Sequence, residues 1–262
     1  MFRTPLLAGA FALALFPDAA RAESTPLEGN TLLDLVERAD GIGIAHVAHA
    51  QPGQSVLMVS SWLLGGGGDG EITVDARVHG AQALVFLQQT GGGWSPLGGE
   101  FAAQSLGEAS TRLLEAASLA IDLRAGDSAA QPALDALLTE SLLAAAPDPL
   151  APTAREALAD QAEVDWLQAL ALNERLTEDN RAWAARTLGA RGALDALPTL
   201  RALALDARSP RAIRAGALEG LGQLGPAGGD AAMTLLGDPD PTLRQLAAEA
   251  LGAPPPRRRP RR

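Results

Sequence analysis

The chain has 262 residues, 47% of them hydrophobic, and a formal net charge of −10 at pH 7, so it has the size and apolar content of a folded one- or two-domain protein. Because it contains no cysteine, disulfides, thiolate nucleophiles, Cys-ligated zinc and a lipid-carrying cysteine are all excluded. The acidic balance argues against nonspecific binding to nucleic acid or anionic lipid, since both favour a positively charged surface.

Residues 1–22 have the layout of a secretory signal peptide. A lone Arg3 precedes an apolar run over 6–16, and the small residues Ala20 and Ala22 stand just before the expected cleavage site. The apolar run is too short to span a membrane. We therefore expect cleavage after Ala22 and export as a soluble periplasmic or secreted protein.

The segment 23–40 contains a predicted short leading helix, and 41–104 then reads as a small β domain. Alternation is clearest at 71–78, where Ile72, Val74 and Val78 share one face. Five short strands would leave long apolar edges exposed, so a closed or nearly closed antiparallel barrel is predicted. The predicted strands are 42–48, 55–64, 71–78, 83–88 and 94–103.

Over 105–252 the apolar period changes to that of a helix, and Pro, Gly and Asp interrupt it at nearly every junction. Short helices joined by short links are predicted to pack antiparallel to the helices next to them in sequence. The predicted helices are 108–123, 131–145, 152–160, 163–171, 180–189, 198–205, 210–221, 230–236 and 241–251.

A nine-residue pattern recurs three times in this helical region, beginning with arginine and ending with Leu-Gly: Arg181–Gly189, Arg214–Gly222 and Arg244–Gly252. A repeat of about 30 residues cannot bury a core alone, so it predicts stacked helical hairpins. The alanines of the pattern lie on one face, where they allow a neighbouring helix to approach closely. The closing glycines are expected to end their helices in the left-handed conformation.

The repeated arginine falls at the edge of this packing face. We expect its stem to be covered and its guanidinium to reach a carboxylate or a helix-end carbonyl of the neighbouring turn. Asp206 is the predicted partner of Arg214, and Asp240 that of Arg244. A row of anion ligands is the alternative, but no catalytic residue type accompanies the repeated positions.

The second and third copies, with the Ser-Pro and Asp-Pro turns before them, resemble first helices of HEAT-type repeats of the phycobilisome-lyase subclass. The first copy departs from them at Trp183 and Thr187. The resemblance implies an α-solenoid, which commonly serves as a protein-binding scaffold. Nothing in the repeat marks bilin chemistry.

The segment 35–103 is similar to the netrin-like and TIMP-like barrels, which have an OB-type fold. The likeness rests on Ala39–Ile42, Trp62–Gly65 and Leu84–Leu87. Inhibitors of that family use an N-terminal cysteine and disulfides, so inhibition by that route is ruled out here. Together the two resemblances imply a multidomain α+β protein: a small antiparallel β-barrel followed by an all-α, HEAT-like α-solenoid.

Candidate catalytic and metal-binding residues are few. His46 and His49 lie three apart in a predicted strand, hence on opposite faces, which is unsuitable for a shared metal; His79 is the third histidine. The glycine run 65–70 lacks the Lys and Ser/Thr of a phosphate-binding loop. The sequence therefore predicts no catalytic residue, no metal and no cofactor.

Two features remain as candidates for partner binding. Trp166 and Trp183 are the predicted partner-binding residues, with anchoring of helix packing as the alternative. The tail 253–262 combines four prolines with five arginines, a composition that predicts no fold. The tail either has no role or makes a weak contact with an anionic surface through Arg257–Arg262. Without the signal peptide and the tail, the net charge is near −16.

These observations predict an exported, non-enzymatic scaffold or adaptor that binds another protein through its helical-repeat surface. The alternative is an enzyme or enzyme subunit with a site in the solenoid groove or at the domain junction. Buried carboxylates or histidines with perturbed pKa values, clustered in a concave site, would favour that alternative.

Overall fold

The computed structural model describes residues 31–51, 53–66, 71–74, 78, 81–91, 93–97, 103–106 and 110–252. The predicted signal peptide, the Pro/Arg tail and His79 lie outside this set. Within it the chain is mixed α+β, with one short helix, an antiparallel sheet of six strands and then nine α-helices. The coarse fold prediction is therefore confirmed.

The helices and strands follow the predicted order closely. The strands are β1 (Gly41–Gln51), β2 (Gln54–Leu64), β3 (Glu71–Val74), β4 (Gln82–Thr90), β5 (Gly93–Pro96) and β6 (Ala103–Leu106). The helices are α1 (Leu32–Arg38), α2 (Ser110–Arg124), α3 (Gln131–Leu142), α4 (Ala151–Leu158), α5 (Val164–Leu172), α6 (Glu178–Ala190), α7 (Leu197–Leu205), α8 (Arg211–Gln223), α9 (Gly229–Leu235) and α10 (Pro241–Ala250).

The prediction of a single strand over 94–103 is wrong. Its two ends belong to separate strands, β5 and β6, which pair with different halves of the same edge of β4. The other edge of β4 pairs with β1, and β2 and β3 follow in the order β3-β2-β1-β4-β5. One strand therefore organises the sheet, because β1, β5 and β6 all hydrogen-bond to it.

The described strands form an open sheet. β3 and β5 are its outer strands, and some of their Cα atoms come within 8 Å of each other, but no ladder joins them in this part of the chain. The hydrogen-bonded closure that a barrel requires is thus not seen among the described residues. What is seen is an antiparallel sheet whose two edges approach one another.

β4 is buried on both faces. Its residues 83–87 are all fully buried, in the continuous apolar run typical of a strand covered on both sides. Leu84 and Phe86 join the core that continues into the helices, whereas Val85 and Leu87 join a second core with β2 and β3. The change of composition near residue 104 therefore marks a change of secondary structure and not a break in the core.

α1 is held at both ends by residues far away in sequence. The Leu32 amide donates to Thr153 Oγ1 on α4 at 3.1 Å. At the other end, Arg124 of α2 donates to the carbonyls of Val36 and Ala39 at 2.7 and 2.6 Å. These bonds satisfy groups that the short helix cannot pair internally, and they tie the sheet region to the helices.

The later helices pack in series. α6 packs on α8 and α8 on α10, while α5, α7 and α9 each pack on the helix that follows them in sequence. Small residues occupy the crossings: a Cβ at Gly189 would overlap the backbone of Gly220, and one at Gly216 would lie 2.5 Å from the Ala182 carbonyl oxygen. The predicted close approach of the helices is seen here at glycines, whereas the prediction named the alanines of the repeat.

The prediction that the repeat's closing glycine ends each helix is wrong for two of three copies. Gly189 and Gly222 lie inside α6 and α8, and the positive φ values belong to Gly192 and Gly225, three residues later. Gly252 alone fits the prediction, with φ of 70°. At Gly189 a Cβ would overlap the backbone of α8, so packing requires the glycine; at Gly222 a Cβ would lie 3.0 Å from the Ala250 Cβ of α10, which is a tight contact.

Candidate functional site

The repeated arginines bind the ends of preceding helices. Arg181 Nε donates to the Ala171 carbonyl in the last turn of α5, and Arg214 Nε donates to the Ala204 carbonyl in the last turn of α7, each at 3.1 Å. The third copy, Arg244, donates to two carbonyls of the turn after α9. The prediction that these guanidinium groups reach helix-end carbonyls is confirmed.

The carboxylate partner of Arg214 differs from the predicted one. Arg214 pairs with Asp238, and both side chains are largely buried, at 11% and 7% exposure. Asp238 belongs to the turn between α9 and α10, so this ion pair ties α8 to the far end of the helix that follows it. The prediction names Asp206, in the turn that precedes α8.

The two predicted partners instead close their own turns. Asp206 accepts from the Ser209 hydroxyl and the Arg208 amide, and Asp240 accepts from the Thr242 amide at the start of α10. An aspartate can bond to the backbone two residues ahead without any tertiary contact, and that local bond prevails here.

Two of these carboxyls are held in their charged form. Burial would raise the pKa of the Asp238 carboxyl, but the amide of Asp240 and the guanidinium of Arg214 together outweigh it and lower that pKa below its ordinary value. The hydrogen bond from the Arg208 amide, followed by that from Ser209, lowers the pKa of Asp206. Charged carboxylates suit ion pairing and not the donation of a proton at neutral pH.

Each buried carbonyl that the repeated arginine binds is followed by an exposed leucine. Leu172 ends α5 and is 52% exposed, and Leu205 ends α7 and is 43% exposed. Leu143 directly after α3 and Leu236 directly after α9 are exposed to 46% and 45%. Four large apolar side chains therefore project from corresponding ends of alternate helices.

The sequence carries a signal for two of these leucines. Ala-Leu-Ala-Leu occurs at 169–172 and again at 202–205, in each case nine residues before the repeated arginine. Residues two apart lie on opposite sides of a helix, so helical periodicity places only one leucine of each segment in the core. The structure buries only the first leucine of each segment, because the second lies at the helix end beyond the packing face.

The two predicted partner-binding tryptophans lie together, and only one reaches the surface. Trp166 and Trp183 pack edge to face, with ring centroids 6.5 Å apart and an interplanar angle of 78°. Trp183 is 8% exposed, and its ring packs against that of Trp166, which is half-buried. Trp166 also lines a groove of about 310 Å³, whose other lining residues are Thr139, Leu158, Gln161, Ala162 and Glu163.

The β region carries a second aromatic pair. Trp62 and Trp94 lie with their ring centroids 5.0 Å apart over β1, where a Cβ at Gly41 would be 2.7 Å from Trp62. His46 and His49 are both exposed, and a bulge in β1 separates them. No group of three or more His, Cys, Asp and Glu side chains suited to a metal occurs among the described residues.

No protein-family model, curated protein or solved structure matches this chain. Within the described part of the chain, no helix has both the length and the apolar character needed to cross a membrane. The fold and the surface together define a broad class: an α+β protein whose serially packed helices expose leucines at regularly repeated positions.

Proposed function

We propose that this chain is an exported, non-enzymatic scaffold that binds another protein along the edge carrying its exposed leucines. The observation that carries the proposal is the exposure of Leu143, Leu172, Leu205 and Leu236 at corresponding helix ends. Isolated exposed leucines are ordinary, but four at corresponding helix ends would give a partner a row of apolar contacts along one edge.

The proposal includes an architecture for the binding edge. We take α3, α5, α7 and α9 as the second helices of stacked HEAT-like hairpins, which would bring their C-terminal ends to the same side. The serial packing of α6, α8 and α10 supports this arrangement. The same proposal takes the open sheet as a netrin-like, OB-type barrel, supported by the approach of β3 to β5.

The arginines give the edge its rigidity in this proposal. Arg181 and Arg214 bind the carbonyls of Ala171 and Ala204, one residue before the exposed Leu172 and Leu205. Fixing the last helical turn reduces the side-chain and backbone entropy that would be lost when a partner binds. Export to the periplasm or medium belongs to the proposal through the signal peptide predicted at 1–22.

The test is retention of envelope proteins by the immobilised full mature chain and by a double variant, Leu172→Ser with Leu205→Ser. Both side chains are exposed, so thermal unfolding of the variant is expected to match the wild type. We expect the variant to lose a protein that the wild type retains. Leu194→Ser is the matched control, because Leu194 is 62% exposed but lies in a separate turn after α6.

Two outcomes would contradict the scaffold proposal. One is identical retention by the wild type and the double variant, which would show that the leucines do not contact the partner. The other is equal loss of retention with Leu194→Ser, which would show that any exposed leucine has the same nonspecific effect.

A further inference from the structure

The bulge in β1 changes how His46 and His49 are placed relative to each other. Residues three apart in a regular strand lie on opposite faces, which is what the sequence predicts for this pair. In β1, however, His46 lies opposite Met58 of β2 and His49 lies opposite Val56, because the bulge takes up the extra residue, Ala48. Met58 and Val56 are two apart in an evenly paired stretch of β2 and share a face. Both histidines therefore lie on that same face.

The face that carries the two histidines is exposed at this point. Leu57 and Val59, which flank Met58 in β2, belong to the second core, so Met58 points away from that core. Met58 is 38% exposed, and both histidines are exposed. Two imidazoles and one thioether, which we call the His/Met cluster, are thus gathered on one accessible part of the sheet.

The spacing of the His/Met cluster allows its three side chains to share one ion. Directly opposite residues of an antiparallel pair have Cβ atoms about 5 Å apart, which places His46 beside Met58. His49 lies two β2 residues further along, a distance of about 7 Å. A metal–nitrogen bond is about 2 Å long, so an ion between side chains of this length can contact all three.

Gln51 is placed to orient one of the imidazoles. Its side-chain nitrogen lies 2.9 Å from His49 Nε2. When the amide turns to present its oxygen, His49 donates from Nε2 and the lone pair of Nδ1 is free for a metal. A metal-bound imidazole usually donates its other N–H to an oxygen in this way, which fixes the orientation of the ring.

Polar side chains flank the cluster across the sheet. Glu71 of β3 lies opposite Met58, and Gln82 of β4 lies opposite His46. Both are exposed, so neither covers the cluster with apolar surface. The carboxylate of Glu71 puts a negative charge beside the thioether, and this charge favours a cation at the site.

The types of ligand indicate which cation fits. The thioether of methionine is a soft ligand that selects Cu(I), and imidazole also binds copper. Because the chain contains no cysteine, a copper site built on a thiolate is excluded. Two histidines alone leave the site incomplete, and the methionine supplies a third ligand.

We propose that His46, His49 and Met58 bind one Cu(I) ion on the exposed face of the sheet, with Gln51 as the residue that positions His49. The site lies on β1 and β2, whereas the proposed scaffold surface lies at the ends of helices. The metal site therefore does not depend on the scaffold proposal.

The experiment is anaerobic titration of the untagged protein with Cu(I) alone, in competition with a chelator whose Cu(I) complex is coloured. The wild type is expected to bind one ion per chain. Met58→Leu, His46→Gln and His49→Gln are each expected to weaken binding at least about tenfold, since loss of a group that merely orients a ligand already has that effect. Met233→Leu is the matched control and is expected to bind like the wild type, because Met233 is 58% exposed but lies on α9.

A second measurement tests the thioether in the wild type, without any substitution at the site. Cu(I) has no unpaired electron, so the methyl signals of methionine remain sharp in an NMR spectrum when the ion is added. One equivalent of Cu(I) is expected to shift the signal of Met58 and to leave that of Met233 in place. The two Met→Leu variants assign the signals.

Several results would overturn the proposal: no Cu(I) taken from the chelator, equal affinities of Met58→Leu and Met233→Leu, or a Met58 methyl signal that does not move. Binding that survives replacement of both His46 and His49 would also overturn it, because the ion would then lie elsewhere. The double leucine variant of the scaffold test is expected to bind Cu(I) like the wild type, so the two proposals fail separately.

Discussion

The strand β4 and the crossing of α6 and α8 are packed in opposite ways. β4 fills space with large side chains on both faces, and Phe86 is fully buried between the sheet and the helices. At the crossing of α6 and α8 the backbones themselves touch, because Gly189 and Gly220 have no side chains to separate them. The comparison teaches that the covered strand β4 is sensitive to lost volume, whereas the crossing of α6 and α8 is sensitive to added volume.

Phe86→Ala is expected to have the largest effect, a loss of about 4 kcal/mol in the free energy of unfolding. The substitution leaves a cavity where β4 contacts the helices, and rigid elements on both sides limit its collapse. Urea denaturation measures the effect, and Phe86→Leu is the control, with an expected loss of about 1 kcal/mol. Equal losses for the two variants would show that volume is not what matters here.

Gly189→Ala is expected to destabilise the protein by about 3 kcal/mol, because the added Cβ overlaps the Gly220 backbone and forces α6 and α8 apart. Elsewhere in a helix the same change is favourable. Gly237→Ala is the control, since a Cβ there meets nothing closer than 3.9 Å. A thermal scan in which Gly189→Ala matches this control would refute backbone contact at the crossing.

Arg214→Met is expected to cost about 2 kcal/mol, because it leaves the buried Asp238 carboxylate and the Ala204 carbonyl without their donor. Arg186→Met provides the contrast. Arg186 pairs with Glu219 at 3.5 Å with both side chains well exposed, and such pairs contribute about 0.5 kcal/mol. Similar unfolding midpoints for the two variants would show that Arg214 does not stabilise the packing of the helices.

The smallest expected effect is the pH dependence of the ion pair between Arg214 and Asp238. Because the pKa of Asp238 is lower in the folded protein than in the unfolded chain, its contribution to stability is present above about pH 4 and lost as the pH falls through the lowered value. The stability difference between wild type and Asp238→Asn should therefore shrink in acid. A difference that widens below pH 4 would reverse the assigned direction.

Local sequence signals predicted the helices and strands well. They failed where contact with another helix decides the role of a residue. α7 and α10 begin and end within one residue of their predicted bounds, because proline at the start and the period of leucines are properties of the segment itself. Gly189 was assigned to a helix end because a chain reversal is the commonest local use of glycine. Its use in packing depends on α8, which no local pattern reveals.

The candidate binding surface shows the same difference between what local sequence signals predict and what contacts between helices decide. The pattern of the repeat predicted that Arg181 and Arg214 bind helix-end carbonyls, since position on a helix face is a local property. It assigned Arg214 the wrong carboxylate, because Asp238 becomes a neighbour only when α9 folds back along α8. The sequence predicts Trp166 and Trp183 as partner-binding residues. Only the packing of the helices decides that Trp183 is covered and that Trp166 lines a groove.

By itself the sequence determined the order of strands and helices, the recurring pattern from arginine to glycine and the opposite charges of the body and the tail, because composition, period and punctuation act within a few residues. The tertiary structure alone decided that β4 is covered on both faces, that α1 is held by Arg124 and Thr153, and that Leu172 and Leu205 remain exposed. These outcomes depend on contacts across tens of residues, and such contacts form only where packing brings complementary surfaces together.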